Sequence, residues 1–440
     1  MTRTPSSTSL RPGTLGLLAA LGAAFALCAP ARAENAARLV GVGPVSRAMG
    51  GTGIAAPQEA IGALTQNPAG LAFRPRPEAV ELGFGSSLFF GGAAAKVTVG
   101  GQTFRGKDSA FAPVATIGAA LPLNEPAPGD GDAPGVRWFG GFSIFAAGGF
   151  GVDYRDEDID QPGFYDLGPA GTAPLIVGEF SRFQALSFAP AIAAQPFDWL
   201  ALGIALPLTF STLDLRQGSS DGFSVGAQVG VSVKPHERVL VGATYLTRQK
   251  TEFENVIDRN GDGAADDLDV ELPEQAGIGL AVEALPGWLL VEVDLKWLHW
   301  ADAAGFEEAD WQDQYVFALG VQASPVDGVF LRAGYNYGRS PINVHSPFDG
   351  QQPLLKGGAV VPRYYHETGR TIGNPSFAQH HLTAGAGCVA SARTELHLGL
   401  LYTLPETVRE KGTDLVGQPA TIVSKGRYAI TVETGITLRF

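Results

Sequence analysis

The sequence predicts an all-β fold, a transmembrane antiparallel β-barrel of about 14 strands. Apolar and polar residues alternate with period two over many short stretches, most connections alternate between tight and long, and the strand count is even. Composition agrees, because 58 glycines and 30 prolines with 17% charged residues suit strands joined by turns better than solvent-facing helices.

Residues 1–33 carry Arg3 and Arg11, an apolar run from Leu15 to Leu27, and Ala31-Arg32-Ala33. This is the layout of a secretory signal peptide cleaved after Ala33, and the run is well short of the roughly 20 residues of a spanning helix. Cleavage would remove three of the 31 bases and no acid, leaving 28 bases against 44 acids and a net charge of −16, which argues against nucleic acid as a partner. Cys28 leaves with the signal, so Cys388 remains alone and no intramolecular disulfide forms.

Strands are expected over 78–90, 109–123, 136–150, 182–197, 200–215, 223–235, 238–253, 275–285, 288–300, 314–325, 329–341, 378–391, 394–405 and 426–440. In the ninth, Leu289, Val291, Val293, Leu295 and Trp297 share one face, opposite Glu292, Asp294 and Lys296. Likewise Leu396, Leu398, Leu400 and Tyr402 oppose Glu395, His397 and Gly399. A soluble sandwich also alternates, so the connections discriminate. Asp198-Trp199, His236-Glu237, Pro286-Gly287, Val326 to Gly328 and Ala392-Arg393 are tight, and the stretches 151–181, 254–274, 301–313, 342–377 and 406–425 between them are long. Short turns on one side and long loops on the other mark a membrane barrel. The turn at 124–135 and the loop at 216–222 break the pattern. The closing strand, "YAITVETGITLRF", keeps an apolar face that only lipid could cover, and it is expected to pair with the first strand so that no edge is left free.

Residues 41–73, "GVGPVSRAMGGTGIAAPQEAIGALTQNPAGLAF", are a Gly- and Ala-rich lead-in rather than a strand. This stretch resembles the amino-terminal hatch of the FadL and TodX family of outer-membrane transporters for hydrophobic compounds. The likeness continues in order through "FDWLALGIALPLTF", "GVSVKPHERVLVGATYLTRQKTEF", "ELPEQAGIGLAVEALPGWLLVEVDLKWLHWAD", "FLRAGYNYGRSPI" and "AQHHLTAGAG". The resemblance implies a 14-stranded barrel, residues 78–440, in the outer membrane of a Gram-negative bacterium, with a hatch of residues 34–77 in its lumen. It also implies uptake of a hydrophobic small molecule such as a long-chain fatty acid or hydrocarbon, captured in an apolar lumen pocket and released sideways into outer-membrane lipid through a kinked third strand. Asn67, Pro68, Ala69 and Gly70 correspond to the hatch motif; where the family usually carries an acidic pair or Asp-Ala just before it, this chain has Gln58-Glu59-Ala60. Kink candidates are Gly140, Gly141, Gly148 and Gly149, although glycine is abundant throughout the chain. Phe440 resembles the terminal aromatic signal read by the barrel-assembly machinery, and a monomer is expected.

The sharpest local chemistry is "DRNGDGAADDLD". Asp258, Asn260 and Asp262 at spacing two, Gly263 for the turn and Asp269 at the twelfth position match a calcium loop, with a solvated acidic loop as the plain alternative. No other cofactor is expected. The histidines show no metal-ligand spacing along the chain, and His380-His381 fall on opposite strand faces. Ser187, His397 and Asn336 could supply hydrolase chemistry but stand at no telling spacing, so no enzymatic activity is expected. A general diffusion porin is the nearer alternative, with Glu292, Asp294 and Lys296 lining water.

Overall fold

Period-two alternation fixes which face each strand turns inward, because a slip of one residue would carry every apolar side chain to the other face. In a computed structural model, described over residues 34–124, 135–160, 163–166, 168–258, 264–374 and 377–440, this register closes an antiparallel barrel of 14 strands. The first three strands are β1 (Glu81–Val99), β2 (Gln102–Pro122) and β3 (Arg137–Asp153). The fourth is Phe180–Phe197, and the fifth to eighth are each built from two segments: Leu200–Ala205 with Leu208–Leu215, Ser219–Val225 with Gln228–His236, Val239–Leu246 with Gln249–Ile257, and Asp266–Leu272 with Gln275–Leu285. Then come Leu289–Leu298, Gln314–Val326, Val329–Gly338 and His380–Ser391, followed by Thr394–Thr403 with Glu406–Thr413, and Pro419–Gly426 with Ala429–Arg439. Closure runs from Glu81↔Arg439 to Phe90↔Ile430 and resumes from Ala93↔Gly426 to Val99↔Ala420.

The outward face is apolar across the band the bilayer covers, with Leu396, Leu398, Leu400 and Tyr402 all exposed on one strand. Trp288 sits at the end with the short turns, and Trp297, paired with Tyr315, at the end with the long loops. Nine residues at roughly 3.3 Å each, tilted by about 40°, separate the two tryptophans by roughly 23 Å along the barrel axis, close to the apolar band of outer-membrane barrels. No helix among the described residues is long and apolar enough to cross a membrane.

Several strands run further towards the loop side than the sequence suggests. β1 and β2 pair without interruption to Val99↔Gln102, with a tight turn at Gly100 and Gly101 (φ 54° and 81°), where the alternation predicts an irregular stretch from 91 to 108. The 406–425 loop is a hairpin of Glu406–Thr413 and Pro419–Gly426. These extensions stand above the bilayer, so neither face need be apolar and the alternation that marks a lipid-facing strand fades. The loop between the eleventh and twelfth strands holds a hairpin (Pro353–Lys356 with Ala359–Pro362) and the helix Arg363–Ile372.

Residues 34–80 turn into the lumen. They form the short helices Pro44–Ala48 and Ala60–Gln66 and a 3-10 turn, Pro68–Ala72, and almost all of their side chains up to Ala72 are buried. Their partners lie all around the wall, from Glu81 on β1 and Ser232 on the sixth strand to Asp294, Asn336, Thr383 and Glu433.

Candidate functional site

The lumen segment is clasped by charge and accommodated by glycine. The Gly53 and Ile54 amides donate to Asp294 Oδ2 (3.1 and 3.2 Å), and those of Ala55 and Ala56 donate to Glu292 Oε1 (2.8 and 3.1 Å). Lys296 Nζ donates to the Gly51 carbonyl (2.9 Å) and to Gln66 Oε1 (2.8 Å). The three charges that suit a water-filled pore are thus spent on holding a segment across it. Asn67 caps the 3-10 turn by accepting from the Ala69 amide (3.1 Å), and its Nδ2 donates to the carbonyls of Ile54 (2.8 Å) and Val231 (3.1 Å) and to Ser232 Oγ (3.1 Å). Pro68 and Ala69 lie so close to the fifth strand that a Cβ at Gly203 would collide with their backbone, and a Cβ at Gly230 would collide with Asn67 Oδ1. Gly70 in turn meets Pro57 within the segment. At the far end Arg74 and Arg439 flank Glu81, 3.7 and 2.9 Å away, while Arg47 bridges Glu34 (2.5 Å) and Glu433 (2.6 Å).

The wall itself is incomplete. β2 and β3 pair only from Pro122↔Phe139 to Ile117↔Ile144. Beyond that point β2 continues to pair with β1 and β3 with the fourth strand, so the two diverge. A bulge between Ala146 and Gly148 marks the divergence, and an extra residue of this kind bends a strand. Ile144 lies six residues above Trp138, roughly 15 Å up the barrel axis, so the gap opens within the apolar band. The gap is closed at the loop side, where the Asp153 amide donates to Asp108 Oδ2 (3.1 Å) and Tyr154 and Ile159 pack on Gly106. From inside it is covered by the lumen segment: Gly149 N–H donates to the Ala37 carbonyl (3.0 Å), and Leu39 packs on Val114 and Ala146. Of the four glycines expected to kink β3, only Gly148 and Gly149 sit at the bend. Gly140 and Gly141 lie in regular ladder on both sides, and Gly141 instead makes room for Leu64.

Beside the gap lies a cavity of about 70 Å³ lined by residues including Arg38, Leu39, Phe145, Ala147, Gln249 and Lys296. Arg38 donates to the carbonyls of Ala147 (3.1 Å) and Pro273 (3.3 Å), its Nε has no partner, and among the described residues no carboxylate neutralises it. Burial lowers its pKa to about 10, which still leaves it cationic at neutral pH. Above the cavity Phe183, Phe253, Trp300, Phe306 and Trp311 form an apolar cluster, with Trp300 edge-on to Phe306 (centroids 4.6 Å) and to Trp311 (5.2 Å).

The remaining residues singled out from the sequence are scattered. Asp269 is not part of a loop: it lies on a strand opposite Glu252, and its Oδ2 holds Lys250 Nζ at 2.7 Å. Asp258 follows Ile257, which faces Asp266 across the same hairpin. Asn260 and Asp262 lie outside the described residues. Ser187 bonds to Thr209 (2.6 Å), His397 to Thr437 (3.1 Å) and Asn336 to the Gly50 carbonyl (2.9 Å), so no hydrolytic group is assembled from them. Phe440 completes the closing ladder, its N–H donating to Val80 O (2.9 Å) with the ring exposed.

Residues 178–346 match the family described as outer membrane protein transport protein (OMPP1/FadL/TodX). That stretch of the chain is similar to the FadL/TodX family. The fold agrees over nearly its whole length with solved structures at low identity. The FadL homologue of Pseudomonas aeruginosa aligns with a TM-score of 0.66 at 11% identity, covering 92% of this chain and 99% of that one. The toluene transporter TodX of P. putida gives 0.59 at 18% (91% and 99%), and the toluene transporter TbuX of Ralstonia pickettii gives 0.56 at 16% (91% and 99%). No curated protein matches. The fold of this chain is that of the solved FadL and TodX barrels. Sequence reasoning passed over two parts of this site, Arg38 and the bulge at Ala147. The first is an ordinary residue in an apolar stretch, and the second depends on which partner each strand edge finds.

Proposed function

We propose that this barrel takes up an amphipathic carboxylate with a long apolar tail, and releases it into the membrane between β2 and β3. Lipid offers no partner for the unpaired amides and carbonyls of an open strand edge, so a gap at bilayer depth is costly unless something passes through it. The observation that carries the cargo class is Arg38, a buried guanidinium without a counter-ion among the described residues, at the inner mouth of that gap. A cargo carboxylate satisfies it with paired charge-assisted bonds and competes with the Ala147 carbonyl for its N–H groups. Cargo arrival thereby loosens Ala37 to Leu39 from the bulge. At about 70 Å³ the cavity is smaller than the roughly 150 Å³ that admits benzene, so this conformation is closed and the lumen segment moves before cargo enters. Residues 34–77 act as the hatch in this cycle.

A neutral monoaromatic hydrocarbon is the second reading, favoured by the edge-to-face cluster of Trp300, Phe306 and Trp311. Binding of a long-chain fatty acid and of the alcohol of equal chain length to the purified protein separates the two. The acid should bind at least tenfold more tightly to the wild type, and Arg38→Gln should erase the preference. Equal binding of acid and alcohol by the wild type would reject a carboxylate cargo.

A further inference from the structure

The loops over the barrel mouth bring together three side chains that are far apart in the chain. Asp310 lies in the loop after the ninth strand, His345 in the loop after the eleventh, and His366 on the helix Arg363–Ile372 within that same loop. One donor atom from each lies within 4.8 Å of the other two. His366 Nε2 is 3.0 Å from Asp310 Oδ2, and the two imidazoles stack with centroids 6.5 Å apart at 14°.

The surroundings are organised as those of a metal centre are. His345 Nδ1 faces Glu367 Oε1 at 2.8 Å, so with Nδ1 protonated the lone pair stands on Nε2. A carboxylate behind a histidine fixes the tautomer and raises the basicity of the ligating nitrogen. Glu367 is fully buried and is itself held by Arg370 Nε (2.7 Å). The same arginine also engages Glu410 (2.5 Å), which receives the His345 backbone amide. Asp310 Oδ1 is occupied by Lys356 Nζ (2.6 Å), leaving Oδ2 towards the imidazoles. Ligands about 2.0–2.2 Å from a tetrahedral ion stand about 3.4 Å apart, so Asp310 and His366, at 3.0 Å, need open slightly, and no other pair, all within 4.8 Å, need close by more than about 1.4 Å. All three residues are partly exposed, which leaves room for water at the remaining position.

We propose that Asp310, His345 and His366 bind a divalent transition-metal ion of the zinc type at the outer mouth of the barrel. Two imidazoles and one carboxylate suit zinc and its neighbours better than calcium, which takes oxygen ligands. The ion ties the loop after the ninth strand to the loop after the eleventh, joining two parts of the roof over the apolar cluster. The histidines have no ligand spacing along the chain; the fold creates it.

The test uses full-length protein in detergent, stripped with chelator and titrated with Co²⁺ by visible absorption, then with Zn²⁺ in competition. One saturable site is expected, with ligand-field bands that Zn²⁺ bleaches and Ca²⁺ does not. Asp310→Asn and His345→Ala/His366→Ala should abolish the bands, Glu367→Gln should weaken Zn²⁺ binding about 10- to 100-fold, and His299→Ala, elsewhere in the loops, should leave it unchanged. Heat-modifiable migration confirms that each barrel is folded, and Asp310→Asn is the mildest change should the double variant fail to assemble. Absence of a saturable site in the wild type, or unchanged affinity in Asp310→Asn, overturns the proposal.

Discussion

Replacing both Glu292 and Asp294 with alanine should unclasp the lumen segment while leaving the barrel closed. The strand that carries them keeps its ladders to both neighbours, because those bonds are between backbones. What is lost is four amide bonds to carboxylates, at Gly53, Ile54, Ala55 and Ala56. Bonds to a charged group contribute about 1.5–3 kcal/mol each, so the ceiling is roughly 6–12 kcal/mol. Water entering the vacated space returns much of this, leaving about 4 kcal/mol, which raises the displaced population about a thousandfold. Planar-bilayer recording reads this directly: the wild type should conduct little, and the double variant should show frequent openings. Glu237→Ala, on an exposed turn, serves as the control. If the double variant conducts no more than the wild type, the clasp does not hold the segment and the reasoning fails.

Three further outcomes follow from the geometry. Leu39→Cys with Val114→Cys, in a Cys388→Ser background, should join the lumen segment to β2 under oxidation and stop uptake of a labelled fatty acid until reductant is added; undiminished uptake by the joined protein would reject the sideways route. Burial first, and repulsion from Glu81 second, push the Glu59 carboxyl from 4.5 up to about 8, so its favourable contribution is complete below pH 4.5 and is lost as pH rises through about 8. Openings should therefore grow more frequent from pH 5 to pH 9, and Glu59→Gln should flatten that slope. Deleting Phe440 removes the Val80 pairing and the terminal aromatic ring, and membrane levels of the protein should fall, as measured by immunoblot of outer-membrane fractions.

The lipid-facing wall was the most legible part of this chain, since Leu396 to Tyr402 or Leu289 to Trp297 can face only one way once one side meets lipid. The loop-side extensions were less so, because Ala93 to Val99 stand clear of the bilayer and obey no such constraint, although Gly100-Gly101 was a hairpin signal. The roles of Glu292, Asp294 and Lys296 were legible as inward-facing but not as occupied, because their partners are backbone amides and carbonyls more than two hundred residues away. The two halves of the β3 glycine pattern, Gly140-Gly141 and Gly148-Gly149, look alike in sequence, and only pairing tells the straight one from the bent one.

The glycines that floor the lumen have a bearing on how this barrel can change. Gly203, Gly230, Gly242 and Gly334 each leave room for a particular stretch of residues 50–69, so the inner surface is a mould cast around one insert. A mould and its casting are inherited together: exchanging residues 34–77 between distant relatives would set foreign side chains against hollows shaped for others. Diversity of cargo is therefore easier to reach through the loops above, which leave the mould untouched, than by exchange of the insert itself.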